Sequence, residues 1–596
     1  MREFIVTTDA SITPGADREA IKFDGRTMHE PRISVALEPL RIASADQVSW
    51  AREVDVIVVG FGAAGACAAL QAREDGAEVL IVDRFNGGGA TAYSGGVVYA
   101  GGTKVQARNG VADDPETMVK YLQAELGDAV APETLRRFCE GSAADIDWLA
   151  DHGMKYSGNV FSNKASYPPD GASLYFSGNE KQFENATGAK PAPRGHRVVG
   201  KGYSGYVFYA TLKRAVEQAG INVMRHAPVT RLVLDERGNV LGVEVHPISE
   251  NAVSRHQALF DKVTPHKPLN PSGQDKNVIA ARELEQSEHG APLHFRARAG
   301  VILATGGYVF NRQKLAESQP LLARHIHSIV RLGSIGDDGS GIELGQSAGG
   351  VVRLLDSVDL GRSIAPPEGQ LKGVAVNALG KRFINEDAYS GHLGQAIKAQ
   401  PDCKAWLILD RAHLLRVIRQ CFGSNRAQFK TVSAPVLLCL IAGGTRVSRT
   451  IGGLARKLGV PAENLCQTVD AYNHAVDLRQ DPLGKLADQL EPIRGAPYWA
   501  INLSVTNRFS FARMFTLSGL RVDEQTGTVL NARGEAIQGL FAAGRCAVGL
   551  CAEGYVSGMS LADCVFSGRR AGRATALRAQ QTHSHKVGLL QAEATG

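Results

Sequence analysis

The sequence predicts an α/β protein whose nucleotide-binding domain is split by an inserted α+β domain. Three observations predict it. An apolar run, Val54 to Val59 (VDVIVV), broken only by Asp55, leads directly into Gly60-Phe61-Gly62-Ala63-Ala64-Gly65. A second run, Val301-Ile302-Leu303, ends in Ala304-Thr305-Gly306-Gly307. A third, Leu540 to Ala543, leads through a glycine-punctuated loop to a helix of small residues, Met559 to Ala571. Apolar runs of strand length are what strands buried on both faces require. They are spread along 596 residues, so the two ends of the chain must meet around the inserted middle.

The first run opens a Rossmann-like fingerprint of strand, turn, helix, strand and acid. Gly60 allows the tight turn, and Gly62 lets a pyrophosphate approach the backbone. Gly65 lets the alanine-rich helix Ala66 to Asp75 pack on the strand. Val79 to Val82 is the next strand. It ends at Asp83, 18 residues past Gly65, where a carboxylate can accept hydrogen bonds from a ribose. A turn that merely happened to be glycine-rich would not explain Asp83. Ala63, Ala64 and Arg84 complete this part of the expected nucleotide contact.

The next segment separates FAD from a nicotinamide. After Asp83 the chain runs Gly87-Gly88-Gly89-Ala90-Thr91-Ala92-Tyr93-Ser94-Gly95-Gly96, where a nicotinamide domain more often continues into an ordinary helix. A glycine run carrying Thr91 and Ser94 lets backbone lie against a large planar ring. Gly88, Gly89, Ala90, Thr91, Ser94, Gly95 and Gly96 are therefore expected FAD contacts. Ala304, Thr305, Gly306 and Gly307 join them from the second run. Asp338, Gly544, Arg545, Ser560 and Leu561 join from loops nearer the C-terminus. No histidine lies between Asp83 and Gly102, so the FAD is expected to be non-covalent.

The expected organisation is an N-terminal extension (1–51), the first part of a Rossmann-like FAD-binding domain (52–357), an α+β catalytic or capping domain (358–505), and the second part of the FAD-binding domain with a C-terminal tail (506–596). The extension is expected to pack on the FAD domain or to reach a neighbouring subunit. Polar stretches at 163–200 and 246–292 read as surface excursions, the second poorly ordered.

Composition agrees with an enzyme of this kind. Hydrophobic residues make up 44% and glycines number 66, as a large glycine-hinged α/β protein needs. A net charge of +6 is too small for this length to indicate nucleic acid. The nine cysteines are scattered, with no CxxC pair to suggest an iron–sulfur cluster or structural zinc. Their odd number fits a reducing compartment, so a cytoplasmic location is expected. The first residues lack the apolar core of a signal peptide, and nowhere do 18 apolar residues run uninterrupted.

Chemistry concentrates just before the last helix, at Tyr555 and Ser557. A helix N-terminus offers free N–H groups and a positive dipole end, which suits an electron-rich ring or an enolate oxygen. The plainer alternative makes the tyrosine a core residue and the serine a helix cap. No paired carboxylates, metal ligands or Ser/His/Asp set compete for the role.

Several stretches together resemble one branch of the fumarate reductase and 3-ketosteroid dehydrogenase flavoproteins, the 3-ketosteroid Δ4-dehydrogenases, particularly those acting on 5α-steroids. They are VIVVGFGAAG, GGATAYSGG, APRGH (Ala192 to His196), NEDAYSG, FTLSGLR (Phe515 to Arg521) and GYVSGMSLADCVFSGRRAG. The resemblance runs from about residue 50 to about residue 574. It implies that Ser557 takes a proton from steroid C4, and that Tyr389 assists and passes it toward solvent. It also implies that Tyr555 donates to the C3 oxygen, and that hydride from C5 reaches flavin N5. These roles are chemically coherent. Desaturation beside a ketone needs a donor at the developing enolate oxygen. A serine base needs a neighbour to share its proton, and a tyrosine relay is easiest if its pocket lowers its pKa.

Three alternatives stay open. Fumarate-reductase-like enzymes resemble His-Gly-x-Asn-Arg-Leu-Gly-Gly where this chain has Ala552-Glu553-Gly554-Tyr555-Val556-Ser557-Gly558-Met559, and the arginine and histidine are missing. The Δ1-dehydrogenases resemble Tyr-x-Gly-Ala-Gly there, from which Ser557 and Met559 depart. The third alternative is a flavin-binding protein without catalysis. The expected small-molecule partner is a 3-ketosteroid. The electron acceptor, the C5 configuration and the oligomeric state are not written in the sequence.

From Lys404 to Lys457 ten basic residues face one acid, Asp410, around an apolar run, Val436 to Ala442. The plain reading is a solvated basic helix beside a buried apolar element. The sharper one is a peripheral membrane contact.

Overall fold

The computed structural model describes residues 22–23, 26–27 and 33–595, less 164–166, 266–270, 425–428, 430–432 and 510–511. It divides into two units, Met1–Arg32 and Ile33–Gly596. In the first, Lys22–Phe23 pairs antiparallel with Arg26–Thr27. The remainder of the expected extension up to residue 32 lies outside the described residues, as do Arg426 and Lys430 of the basic segment. From Ile33 onward the extension packs on the nucleotide-binding elements. Leu40–Ile42 joins their sheet, and Val35 N–H donates to Ser340 Oγ at 3.0 Å.

A nine-stranded sheet carries the fingerprint. Strand β1 (Trp50–Val59) runs into helix α1 (Ala63–Glu74), and β2 (Val79–Val82) lies parallel to β1. The apolar run marks only the buried part of β1. Trp50 to Glu53 alternate between half-buried and exposed, so polar residues are tolerated there. Helix α1 starts inside the fingerprint. A Cβ on Gly65 would lie 1.9 Å from Gly60 O, so no larger residue fits where helix meets turn.

The stretch read as a surface excursion at 163–200 is structural. It holds β3 (Leu174–Tyr175), paired with Gly195–Arg197 and Val160–Phe161, with Val97–Tyr99 on the far side. Tyr175, Arg194, His196 and Arg197 are buried, and Arg194 is paired with Asp113 at 2.7 Å. The polar residues are inside because they pair there. The 246–292 stretch is likewise ordered among its described residues, as helices Val253–Lys262 and Pro271–Ser287. His256 meets Glu285 at 2.9 Å and stacks on Phe85 at 4.4 Å.

Strand β4 (Leu293–Leu303) is the seam of the molecule, parallel to β1 along its length. Beyond it come β5 (Val358–Gly361), helix α2 (Ser390–Lys398), helix α3 (Arg411–Phe422) and helix α4 (Ala434–Ala442). Residues 374–502 supply a four-stranded antiparallel sheet with its own core of Val374, Ile408, Leu454, Leu465 and Ala500. Strand β6 (Ala512–Thr516) then returns antiparallel to β5. Strand β7 (Ala536–Ala542) lies parallel to β4, with Leu540 opposite Val301. The two ends of the chain thus share one sheet. Helix α5 (Met559–Thr595) closes it by packing on α1. A Cβ on Gly568 would come within 2.5 Å of Ala64 O, and one on Gly572 within 2.3 Å of Ala68 O. The alanines of α1 and the glycines of α5 are two sides of one close helix contact.

Among the described residues no helix is long and apolar enough to cross a membrane, and no His/Cys/Asp/Glu group has metal-site geometry.

Candidate active site

A cleft opens where β1, β2 and β4 end. Gly60, Gly62, Ala63, Ala64, Asp83 and Arg84 line one part of it. Gly89, Ala90 and Thr91 line another, and Ala304, Thr305, Gly306, Asp338 and Arg545 a third. The remaining expected contacts lie off this wall, each for a local reason. Gly65 and Gly544 sit in the packing between α1 and its neighbours. Gly88 packs on Tyr209, Gly95 on Tyr167, Gly96 on Ser204 and Gly307 on Thr516. Ser94 turns its hydroxyl to Thr91 O, and Ser560 and Leu561 form the first turn of α5.

The cleft fits FAD. Gly60 adopts φ +104°, and a Cβ there would strike Ala304 O at 2.6 Å. No side chain of the Gly62 cap accepts from the first turn of α1, which leaves N–H groups for a pyrophosphate. Thr91 Oγ accepts from Ala63 N–H at 2.9 Å and fixes the glycine run against this turn. The Asp83 carboxylate accepts from the N–H groups of Phe61 and Phe85 at 2.6 and 2.8 Å, so it also holds the turn together. Arg84 is clamped between Glu285 and Asp338 at 2.7 and 2.5 Å, and Arg545 pairs with Asp337 at 2.7 Å. No described histidine lines the cleft. Acid precipitation should therefore release the yellow colour to the supernatant, and colour retained in the pellet would contradict non-covalent binding.

Elements distant in sequence bring Tyr389, Tyr555 and Ser557 into one cluster. Tyr389 caps the start of α2, and its N–H donates to Asn179 Oδ1 at 2.6 Å. Its ring lies 6.3 Å from that of Tyr555, which meets Phe515 edge-to-face at 4.9 Å. Ser557 N–H donates to Ser177 O at 3.2 Å. Ser557 Oγ lies 2.9 Å from the hydroxyl of Tyr175. Tyr175 was not singled out from the sequence, and it is the direct partner of the serine. A narrow cavity opens beside Tyr389, walled by Phe176, Arg362, Ile364, Ala365 and Leu371.

Electrostatics leave one condition for the relay unmet. The pocket does not lower the tyrosine. Burial pushes the Tyr389 phenol well above its ordinary value, and the nearby Asp359 carboxylate adds to the effect. Burial does the same to Tyr555, which is walled by protein yet keeps part of its surface open, and to Tyr175. All three phenols stay neutral near pH 7. They can donate and pass hydrogen bonds, but none holds a negative charge.

Fold and site define an FAD-binding flavoprotein with a buried tyrosine–serine cluster. The FAD binding domain family matches residues 55–558. A 3-oxo-5-alpha-steroid 4-dehydrogenase from Comamonas testosteroni is 35% identical over 524 residues, 87% of this chain and 97% of its own. The crystal structure of 3-ketosteroid-delta4-(5alpha)-dehydrogenase from Rhodococcus jostii RHA1, in complex with 4-androstene-3,17-dione, superposes with a TM-score of 0.75 at 32% identity. It covers 91% of this chain and 100% of its own. A 3-oxosteroid 1-dehydrogenase from Mycolicibacterium smegmatis is more distant, 25% identical over 83% of this chain and 92% of its own. The chain belongs to the FAD-binding flavoproteins and, within them, to the family of the 3-ketosteroid Δ4-dehydrogenases.

Proposed function

We propose that this protein introduces the C4–C5 double bond into saturated 3-ketosteroids. The observation that carries the reading is the Ser557–Tyr175 hydrogen bond beside Tyr555 and Tyr389, in a chain of this family. Desaturation beside a ketone removes a proton from C4 and a hydride from C5. FAD, when bound, supplies the hydride acceptor. Ser557 takes the C4 proton, and Tyr175 steadies its hydroxyl by sharing a hydrogen bond. Tyr555, neutral and desolvated, donates to the C3 oxygen as enolate charge grows there. Tyr389 stands between this cluster and the cavity and passes the proton onward. The test is anaerobic mixing with 5α-, 5β- and 4-ene-3-ketosteroids. A saturated 3-ketosteroid should bleach the flavin, and bleaching by none of them would overturn the reading.

A peripheral membrane contact is a second reading, for the basic segment. Helix α4 was expected to be buried, yet of its nine apolar residues only Cys439 is. Leu438 and Ile441 are exposed, the latter to 87%, with Leu415 and Phe422 of α3 also exposed. Arg411, Arg419, Arg446 and Arg449 are exposed as well. Pairing this face with a second copy would set arginine against arginine, whereas anionic lipid complements it. Helix α3 also touches the cavity wall, since Gln420 Oε1 accepts from Gly369 N–H at 2.9 Å, two residues from Leu371. The holoprotein should co-sediment with anionic phospholipid vesicles at low salt, and less so after Ile441→Asp. Equal sedimentation of that variant would contradict the contact.

A further inference from the structure

The mechanism so far moves a proton among groups that cannot keep it. A serine hydroxyl and three phenols pass protons but do not end as anions near neutral pH. The proton taken from C4 needs a terminal acceptor, and the structure contains one that the family resemblance did not bring forward.

Asp359 lies on β5, opposite Phe515 of β6, the residue whose ring meets Tyr555. It is only 7% exposed, and among the described residues no hydrogen bond reaches its carboxylate, which feels burial and the charges of His392 and Arg513. A buried carboxylate is normally hydrogen-bonded or paired, so one left open among reacting groups calls for a reason. Its oxygens crowd the start of α2. A Cβ on Gly391 would lie 2.6 Å from Asp359 Oδ1 and 3.1 Å from Cε1 of Tyr389. A Cβ on Gly361 would lie 3.7 Å from both Asp359 Oδ2 and Ser390 Oγ. The titratable groups that face it are Tyr389 and His392 at the start of α2, Arg513 on β6, and Tyr555 and Cys551 from the loop before α5.

We propose that Asp359 is the terminal acceptor of the proton removed from steroid C4, and that His392 returns that proton to solvent. This rests on the desaturation reading above. The C4–H bond breaks and its proton enters the hydroxyl relay of Ser557 and the tyrosines. Each hydroxyl takes one proton and gives one, and the last goes to Asp359, whose carboxylate becomes a neutral acid. The two electrons leave separately as the C5 hydride, for which the oxidant is FAD. The acid then loses its proton through His392 to water, and the cycle closes with Asp359 ionised.

The surroundings suit that task. Burial pushes the Asp359 carboxyl up to about 7, while His392 and Arg513 hold it from rising further. An acceptor with a pKa near the working pH both takes and releases a proton readily. The exit is also in place. The His392 side chain is 35% exposed, and its Nε2 lies 2.8 Å from Glu125 Oε1. Asn179 ties Glu125 to the Tyr389 backbone, so the exit and the relay share one scaffold. The sign follows. The ionised carboxylate is the working form, so activity should rise with pH through about 7 and then level.

The wild-type holoenzyme gives the first readout. At pH 8, anaerobic flavin reduction by a saturated 3-ketosteroid should bring up an infrared band of a protonated carboxyl, which decays as the proton leaves. Asp359→Asn should remove that band. It should also lower kcat by about 10²-fold or more and abolish the rise of kcat/KM through pH 7, with steroid affinity unchanged. Asp359→Glu should restore the pH-dependent rise, and His392→Gln should prolong the band. Bleaching of wild type without the band would overturn the proposal, as would a wild-type pH profile in Asp359→Asn. A band whose decay ignores His392→Gln would overturn the exit. Failure of any saturated 3-ketosteroid to bleach the wild-type flavin would instead overturn the desaturation reading itself.

Discussion

Tyr555→Phe should leave FAD bound and cut steroid-driven flavin reduction by about 10²-fold or more, the scale for losing one donor to a developing oxyanion. The substitution keeps the ring, so the 4.9 Å edge-to-face contact with Phe515 and the packing on Tyr389 survive. What disappears is a hydroxyl that stays neutral because burial pushes it well above its ordinary value. The effect should fall on kcat, because the donor works hardest when charge has moved onto the C3 oxygen. Stopped-flow absorbance of the flavin under nitrogen measures it. An unchanged rate would make Tyr555 a packing residue.

Ser557→Ala should be the more severe. It removes the group proposed to take the C4 proton, and flavin reduction should fall by about 10²–10⁴-fold while FAD and steroid still bind. It also strips Tyr175 of its 2.9 Å partner in a buried place. A hydroxyl left unsatisfied there costs about 1–3 kcal/mol, so the melting temperature should drop. Adding Tyr175→Phe should recover part of that stability and none of the activity. Recovered activity would mean that the serine's role is structural.

The fold was largely legible, and the reason is physical. β2 and the C-terminal parts of β1, β4 and β7 are buried on both faces, so each carries an apolar run that a reader can see without partners. The alanines and glycines of α1 and α5 also announce themselves, because close helix contact excludes anything larger. Motifs singled out Tyr389, Tyr555 and Ser557, which the structure brings together. Tyr175 was not. It sits on a two-residue strand in a polar stretch, and it meets Ser557 across 382 positions of sequence. Asp359 was missed for the same reason, since an acid in a short strand looks solvated until β6 and α2 close over it. The helices within 246–292 were hidden by their polar composition, which serves exposed faces on one side and the His256–Glu285–Arg84 chain on the other. Helix α4 erred the opposite way. Composition makes it apolar, but only the tertiary structure leaves it uncovered.

The position of the new double bond is the central claim, and the product decides it. Ser557 is what separates this chain from the Tyr-x-Gly-Ala-Gly pattern that the Δ1 enzymes resemble, and it is the residue that Tyr175 holds. Mass spectrometry cannot distinguish the two outcomes, since the products are isomers. Nuclear magnetic resonance of the product formed by wild-type enzyme from a saturated 3-ketosteroid can. A single vinyl proton, from the 4-ene-3-one, is the predicted result. Two coupled vinyl protons would place the bond at C1–C2 and contradict the account.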